Sequence, residues 1–198
     1  MSRVSRSIRR SARAIASTSA VVGFRPTTAA LTVATAFAMQ GMPAWAQPSG
    51  AQVIHGQAGF SSNGNNLTIT TLNGAGTRHS AINWQSFSVP AGSITQFNQP
   101  SATSTSINRV IGANPSAIFG KLNSNGRLVL VNPAGIAVGK GAVVDTAAFT
   151  ASTLAMSQAD AIAGRLLFSG GASAMQVDGR IVARSGDVVL IAPQLQAG

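Results

Sequence analysis

The chain has no cysteine, no tyrosine and no glutamate, and only four acidic residues in 198. Without cysteine there is no disulfide framework, thiolate metal site, cysteine nucleophile or cysteine-linked lipid anchor. Packing and backbone hydrogen bonds alone must hold the fold. A chain free of disulfides also carries no covalent obstacle to passing a pore in an extended state. The acidic residues, Asp145, Asp160, Asp178 and Asp187, are dispersed. They supply neither the paired carboxylates of glycoside chemistry nor the clustered oxygens of a calcium site. Asp178, just before Gly179, reads as a turn residue. The only histidines, His55 and His79, lie 24 positions apart with no adjacent carboxylate. No Gly-x-Ser-x-Gly elbow marks a nucleophile, so both histidines read as exposed strand or turn residues. Gly139-Lys140-Gly141 lacks the rest of a phosphate-loop frame. No catalytic residue, metal or cofactor is expected.

Basic residues are plentiful, with a net charge of +10, but they are unevenly placed. Arg3, Arg6, Arg9, Arg10, Arg13 and Arg25 all precede an apolar run starting near Thr27. Beyond Ala46 there remain 8 basic and 4 acidic residues, a balance of +4. These are scattered without aromatic interleaving, which argues for a weakly positive surface and against nucleic acid.

Residues 1–46 read as an extended, cleavable signal peptide. The basic n-region runs to Arg25 and the apolar h-region from about Pro26 to Met39. Gln40-Gly41-Met42-Pro43 then breaks the helix. Ala44-Trp45-Ala46 fits the small-x-small rule and places the cut before Gln47. The apolar run falls short of the ~20 residues of a spanning helix, so stable membrane insertion is not expected. Arg9-Arg10 hints at twin-arginine export, but Ser11-Ala12 stand where an apolar pair is required. The general export route into the periplasm is favoured.

Residues 47–198 show short strands cut by turns and no long amphipathic helix. Gln52–His55 is a first strand. Phe60–Ser62 and Asn66–Leu72 flank Asn63-Gly64-Asn65 as a hairpin, and Asn73-Gly74 with Gly76 follows as a break. Ser80–Val89 alternates as one long strand, with Ile82, Trp84, Ser86 and Ser88 facing opposite to Ala81, Asn83, Gln85, Phe87 and Val89. Further strands fall at Ile94–Phe97, Ile107–Ile111, Ala117–Phe119 and Leu128–Val131. Ile136 and Val138 restart the alternation. Gln158–Gly164 is one helical turn or a loop. Gln176–Val177, Ile181–Ala183 and Val188–Ile191 resume the strand pattern, with Asp178-Gly179 and Ser185-Gly186 as turns. The class is all-β, a solenoid or a sandwich. Corners rich in Asn, Ser and Thr, and interior candidates that are small or β-branched, favour the solenoid. Trp84 reads as an interior residue or a cover for a hairpin, with sugar stacking as the lesser alternative.

The centre of the pattern is Asn132-Pro133-Ala134-Gly135-Ile136, preceded by the Asn125-Gly126 turn. Pro133 ends a strand by removing a ladder donor. Asn132 is held extended before it, with a short amide able to accept from the turn backbone. Ala134 and Gly135 suit the third and fourth positions of a type I turn. These residues, with Ile82–Ser88, Phe97–Ser101, Asn108–Gly112, Asn114–Ile118 and Ala151–Leu154, resemble the N-terminal secretion domain of filamentous-haemagglutinin-type two-partner-secretion exoproteins. That family carries Asn where Ala134 stands. Its second signature, Asn-Pro-Asn-Leu, does not occur here. The resemblance runs from about Gln52 to the C-terminus. It implies a right-handed parallel β-helix with an N-terminal capping hairpin. It also implies a partner or secretion motif made of Asn132, Pro133, Gly135, Ile136, Asn108 and Arg109, where the plain role of Arg109 is hydrogen bonding between coils. The implied partner is a cognate outer-membrane transporter with periplasmic interaction domains. The implied destination is secretion or the cell surface, and host-cell surfaces or glycans would be met through downstream regions. The chain ends at Pro193–Gly198 without a polar cap and reads as cut within or just after a coil.

Two functional classes follow. One is a non-catalytic secretion module. The other is a β-helix polysaccharide lyase or hydrolase, which should gather charged groups on one face. The scarcity of aspartate and lack of glutamate weigh against the second. The targeting signal predicts that exported protein begins at Gln47; N-terminal sequencing that returned Met1 would refute the cut.

Overall fold

The structure is a computed structural model and describes residues 46–198. Ala44 and the basic and apolar segments before it lie outside the described residues. The described chain opens with β1 (Gln52–His55), β2 (Gln57–Asn63) and β3 (Asn66–Leu72). A first coil follows through β4 (His79–Trp84), an isolated bridge at Val89 and β5 (Ile94–Asn98). The second coil is β6 (Thr105–Val110), β7 (Ser116–Ile118) and β8 (Lys121–Ser124). The third is β9 (Arg127–Val131), β10 (Ile136–Val138) and β11 (Val143–Thr146). In the fourth, β12 (Ala148–Ser152) leads through the short helix α1 (Gln158–Ala163) to β13 (Met175–Val177) and β14 (Arg180–Ala183). β15 (Val188–Ile191) and β16 (Leu195–Ala197) begin another turn.

Each coil gives one strand to each of three sheets. The first sheet runs β1-β4-β6-β9-β12-β15, the second β7-β10-β13-β16 and the third β2-β3-β5-β8-β11-β14. Pairing between coils is parallel and in register: Ile82 faces Asn108, Asn108 faces Leu130, and Leu130 faces Ala151. This is a parallel β-helix, as the family resemblance implies and as the solenoid favoured by the turn pattern allows; the sandwich alternative would require stacked antiparallel sheets. Only the opening departs from parallel pairing among these ladders. β1 lies antiparallel on β4, and β2 folds back antiparallel on β3 around Gly64-Asn65. The hairpin thus covers the first edge of the third sheet, and β1 covers that of the first.

Period-2 alternation divides each strand of the first sheet between two apolar layers. Ile82, Trp84, Leu128, Leu130 and Phe149 point into the coil interior. Ala81, Ile107, Val129 and Val131 point outward, where Met156, Ala161 and Phe168 cover them. The covering segment is a flap built around α1. Ser157 caps α1 by accepting from the Asp160 N–H, and Gly164 ends it in the left-handed region at φ 69°. At the capped end aromatic rings join Leu67, Ile69 and Ile82 in the interior. Phe60 of the hairpin sits edge-on to Trp84 with centroids 5.7 Å apart, and Trp84 sits edge-on to Phe87 at 5.5 Å.

Some expectations from the sequence need correction. Ser80–Val89 is not one strand: β4 stops at Trp84, and the chain turns a corner beneath Ser49, which bonds to Gln85 and Ser86. Phe87 and Val89 therefore share the interior with Ile82 and Trp84 instead of opposing them. Asn125-Gly126 does turn the chain, as a solenoid corner between β8 and β9 of different sheets. β8, β11, β12 and β16 were not anticipated.

Phe149 is fully buried while Phe60 is 44% exposed. Phe149→Ala should cost about 3–5 kcal/mol, as a cavity in a packed core does. Phe60→Ala should cost only about 0.5–1.5 kcal/mol, the worth of one aromatic pair. Urea denaturation of the two variants checks the contrast; equal losses would show that the hairpin is part of the core rather than its cover.

Candidate functional site

Asn132 sits at the corner between β9 and β10, fully buried. Its Oδ1 accepts from the Ala134 N–H at 2.9 Å, and the Gly135 N–H donates to the Asn132 carbonyl at 3.0 Å. Asx turn and β-turn close together on the same four residues, as the sequence suggests. The other half of the amide reaches into the preceding coil. Nδ2 donates to the Asn114 carbonyl at 3.0 Å and to Ser116 Oγ at 2.9 Å. The side chain thus uses both donors and its acceptor inside the protein. Gly135 has φ 122°, a left-sided conformation that favours glycine, while a Cβ there would meet nothing closer than 3.5 Å. Backbone conformation, not space, is what calls for glycine. Pro133 is half-buried, and Ile136 points inward between Ser116 and Met175 in register.

Asn132 therefore ties the 132–136 corner to the Asn-Pro stretch at 114–118 in the preceding coil. The sequence displays both but not their stacking. A second clasp holds the corner before β9. The Gln99 N–H donates to Asn125 Oδ1 at 2.7 Å, and Asn125 Nδ2 donates to the Gln99 carbonyl at 2.8 Å. Gln99 Nε2 donates further to Ser124 Oγ and the Arg127 carbonyl. A Cβ on Gly126 would lie 2.6 Å from the Gln99 amide carbon, so glycine makes room for the clasp.

Asn108 and Arg109 are neighbours on opposite faces of β6. Asn108 points inward, fully buried, and accepts from Trp84 Nε1 at 3.0 Å. It satisfies an indole that would otherwise be stranded in the core. Arg109 points outward. Its Nε donates to the Met156 carbonyl at 2.9 Å and Nη1 to Asn83 Oδ1 at 2.6 Å. Asn83 in turn donates to Gln158 Oε1 at 3.2 Å. Burial lowers the Arg109 guanidinium from its ordinary value; arginine remains a cation throughout the working range. Arg109 bonds across coils, as expected, and also fastens the flap, which the sequence does not reveal. Arg109 and Pro133 share a shallow groove of about 300 Å³ with Ile111, Gly112 and Met156.

Of the proposed cleavage residues, Ala46 is exposed and Gln47 is half-buried, donating to the Asn65 carbonyl at the hairpin tip. Asp145 forms a bidentate pair with Arg184, whose hydrogen bonds and charge hold its carboxyl below the usual range. Asp160 bonds Ser157 and Arg165, which lower it likewise. The histidines are neither isolated nor fully exposed. His55 and His79 stack, half-buried, with ring centroids 4.3 Å apart.

Asn132→Ala should cost about 1–3 kcal/mol, because buried backbone and hydroxyl groups lose their partners. Asn132→Asp keeps the acceptor but sets a carboxylate against the Asn114 carbonyl. Its folded pKa is raised, so its penalty should be full at pH 7 and shrink toward pH 4 as protonation restores a donor. Denaturation of both variants at the two pH values reads this; a pH-independent Asp penalty would refute it.

This arrangement has counterparts. A model of the TPS secretion domain family matches residues 44–198. A heme/hemopexin-binding protein of Haemophilus influenzae is 39% identical over 106 residues, 54% of this chain and 11% of that protein. A second heme/hemopexin-binding protein of Haemophilus influenzae is 38% identical over 78 residues, 39% of this chain and 8% of the relative. The chain thus spans about a tenth of the length of the curated relatives it matches. The crystal structure of the HMW1 secretion domain from Haemophilus influenzae superposes with a TM-score of 0.62 at 30% identity, covering 76% of this chain and 40% of that one. With the matched region running from the proposed cleavage site through every coil, the chain belongs to the TPS, or two-partner-secretion, secretion-domain family.

Proposed function

We propose that residues 47–198 are the export-directing module of a secreted or cell-surface exoprotein, engaged by a cognate outer-membrane transporter after signal cleavage before Gln47. The family match over residues 44–198, on a capped parallel β-helix, carries this reading. The module acts by being recognised and has no catalytic role. The lyase or hydrolase alternative finds no support in the relatives, which are secretion and heme/hemopexin-binding proteins.

Asn132, Pro133, Gly135 and Ile136 serve this function by shaping the corner rather than by touching the transporter. The support is that the Asn132 amide spends its donors and acceptor within the protein. Asn108 likewise faces the core, and Arg109 is committed to Asn83 and Met156. The surface offered to periplasmic domains of the transporter is better sought at β2. This strand is uncharged, almost wholly exposed along its seven residues, and paired on one side only. Such an edge suits addition of a partner strand. Its lack of lysine and proline is unusual for an edge with no partner.

Co-expression with the cognate transporter tests both parts. Asn132→Ala should lower export in step with its lowered thermal stability. Asn63 and Asn66 close the two-residue turn, so the Ser62 N–H faces away from β3; Ser62→Pro removes this edge donor and should lower export with less change in stability. Lost export with unchanged stability in Asn132→Ala would make the corner a contact site. Unimpaired export in Ser62→Pro would remove β2 from the interface.

A further inference from the structure

We propose that the stacked pair His55–His79 is a pH-operated clasp, holding the cap strand β1 and the flap around α1 to the first coil at neutral pH and releasing both in mild acid. His55 belongs to β1, and His79 opens β4. The rings stack 4.3 Å apart with planes 19° from parallel. Glycines stand beside both rings. A Cβ on Gly74 would lie 2.1 Å from His55 Nε2, and a Cβ on Gly164 would lie 2.7 Å from His79 Cε1. The site thus accepts two imidazoles because their flanking residues have no side chains.

Each ring fastens a different segment. His79 Nε2 lies 3.0 Å from the Ile162 carbonyl of α1, so that nitrogen must carry the hydrogen. His55 Nε2 lies 3.0 Å from Thr77 Oγ1, whose single hydrogen is directed to the Gly74 carbonyl at 2.9 Å. His55 therefore donates from Nε2 as well. Both rings have their Nε2 bonds in place, and a proton added to His55 would enter at Nδ1 with no new bond in place for it.

The charged groups nearby are either cationic or already paired. Arg78 precedes His79 and, with Arg127 of β9, lines the same hollow. β1 carries no charged residue. On the flap side, Asp160 is engaged by Ser157 and Arg165. On β6, Arg109 is bonded to Asn83 and Met156. Neither ring has a carboxylate partner among the described residues. Burial and the neighbouring His79 push His55 below its ordinary value. A histidine so lowered stabilises the fold fully above its unfolded pKa of about 6.5, and that stability is lost as pH falls below it. A coupled pair takes its two protons in separate steps.

Hydrogen–deuterium exchange of the purified chain at pH 7.5 and 5.0, corrected for intrinsic rates, tests the clasp. Peptides spanning residues 52–55 and 158–164 should open about tenfold more at pH 5.0, relative to residues 127–138, as a local rather than global opening does. Unchanged protection would overturn the proposal. His55→Gln leaves one ring with no second cation against it and should flatten the pH response; a response that persists would also overturn it. Should that variant fail to fold, histidine NMR of the unaltered chain decides. Two steps separated by about one unit or more support the clasp, and a single shared step at the ordinary value refutes it.

Discussion

In-register parallel pairing between coils is the constraint on which everything else in this molecule depends. Once Ile82, Asn108, Leu130 and Ala151 share a column, every coil must turn where its neighbour turns. The corners therefore carry most of the specificity. Asn132 reaches back to Asn114 and Ser116, the Asn125 side-chain amide bonds both the N–H and the carbonyl of Gln99, and Thr153 Oγ1 donates to the Ser173 carbonyl. Glycine appears where a neighbouring coil passes too close. A Cβ on Gly112 would meet the Gln85 carbonyl at 2.0 Å, and one on Gly120 would meet the Pro90 carbonyl at 2.3 Å. With no disulfide to enforce the stacking, these buried polar contacts hold the register that hydrophobic burial alone leaves free to slip.

A stack of coils also has ends and faces that need cover. The first edge is closed by reversing chain direction: β1 and β2 run antiparallel to their neighbours, so the parallel repeat stops there. The outward face of the first sheet carries Ala81, Ile107, Val129 and Val131, too apolar to be left bare, and the α1 flap shields them. Cap and flap come within reach of one another at the histidines. The cap closes the first coil, the signature corner belongs to the third, and the flap leaves the fourth to fold back over the first sheet.

Much of the architecture is legible in the sequence because turn residues punctuate it so regularly. β1, the hairpin, β10 and β15 fall where alternation and glycine place them. β8 and β11 escape notice because Lys121, Asn123 and Asp145 occupy their solvent face, leaving too few apolar residues to mark a strand. β4 looks too long because alternation continues through a corner, and a corner changes which way a residue points without altering the pattern. At the site, the acceptor role of Asn132 is readable from the proline beside it. Its two donor bonds are not, since they depend on which residues of the previous coil come into register. The same holds for His55 and His79: nothing local in the sequence announces that strand pairing will lay one ring upon the other.

Between β12 and β13 the chain leaves the coil, builds α1 and returns, yet β12 still pairs with β9 and β13 with β10 in unbroken register. Length at this corner is thus decoupled from the repeat that the strands must obey. Gly170, at φ 66° with open space around its Cβ position, lies on that excursion. A solenoid with one such tolerant corner is a modular scaffold. Foreign peptides or whole small domains grafted near residue 170 would ride on the outside of the spiral without asking any coil to change its pitch.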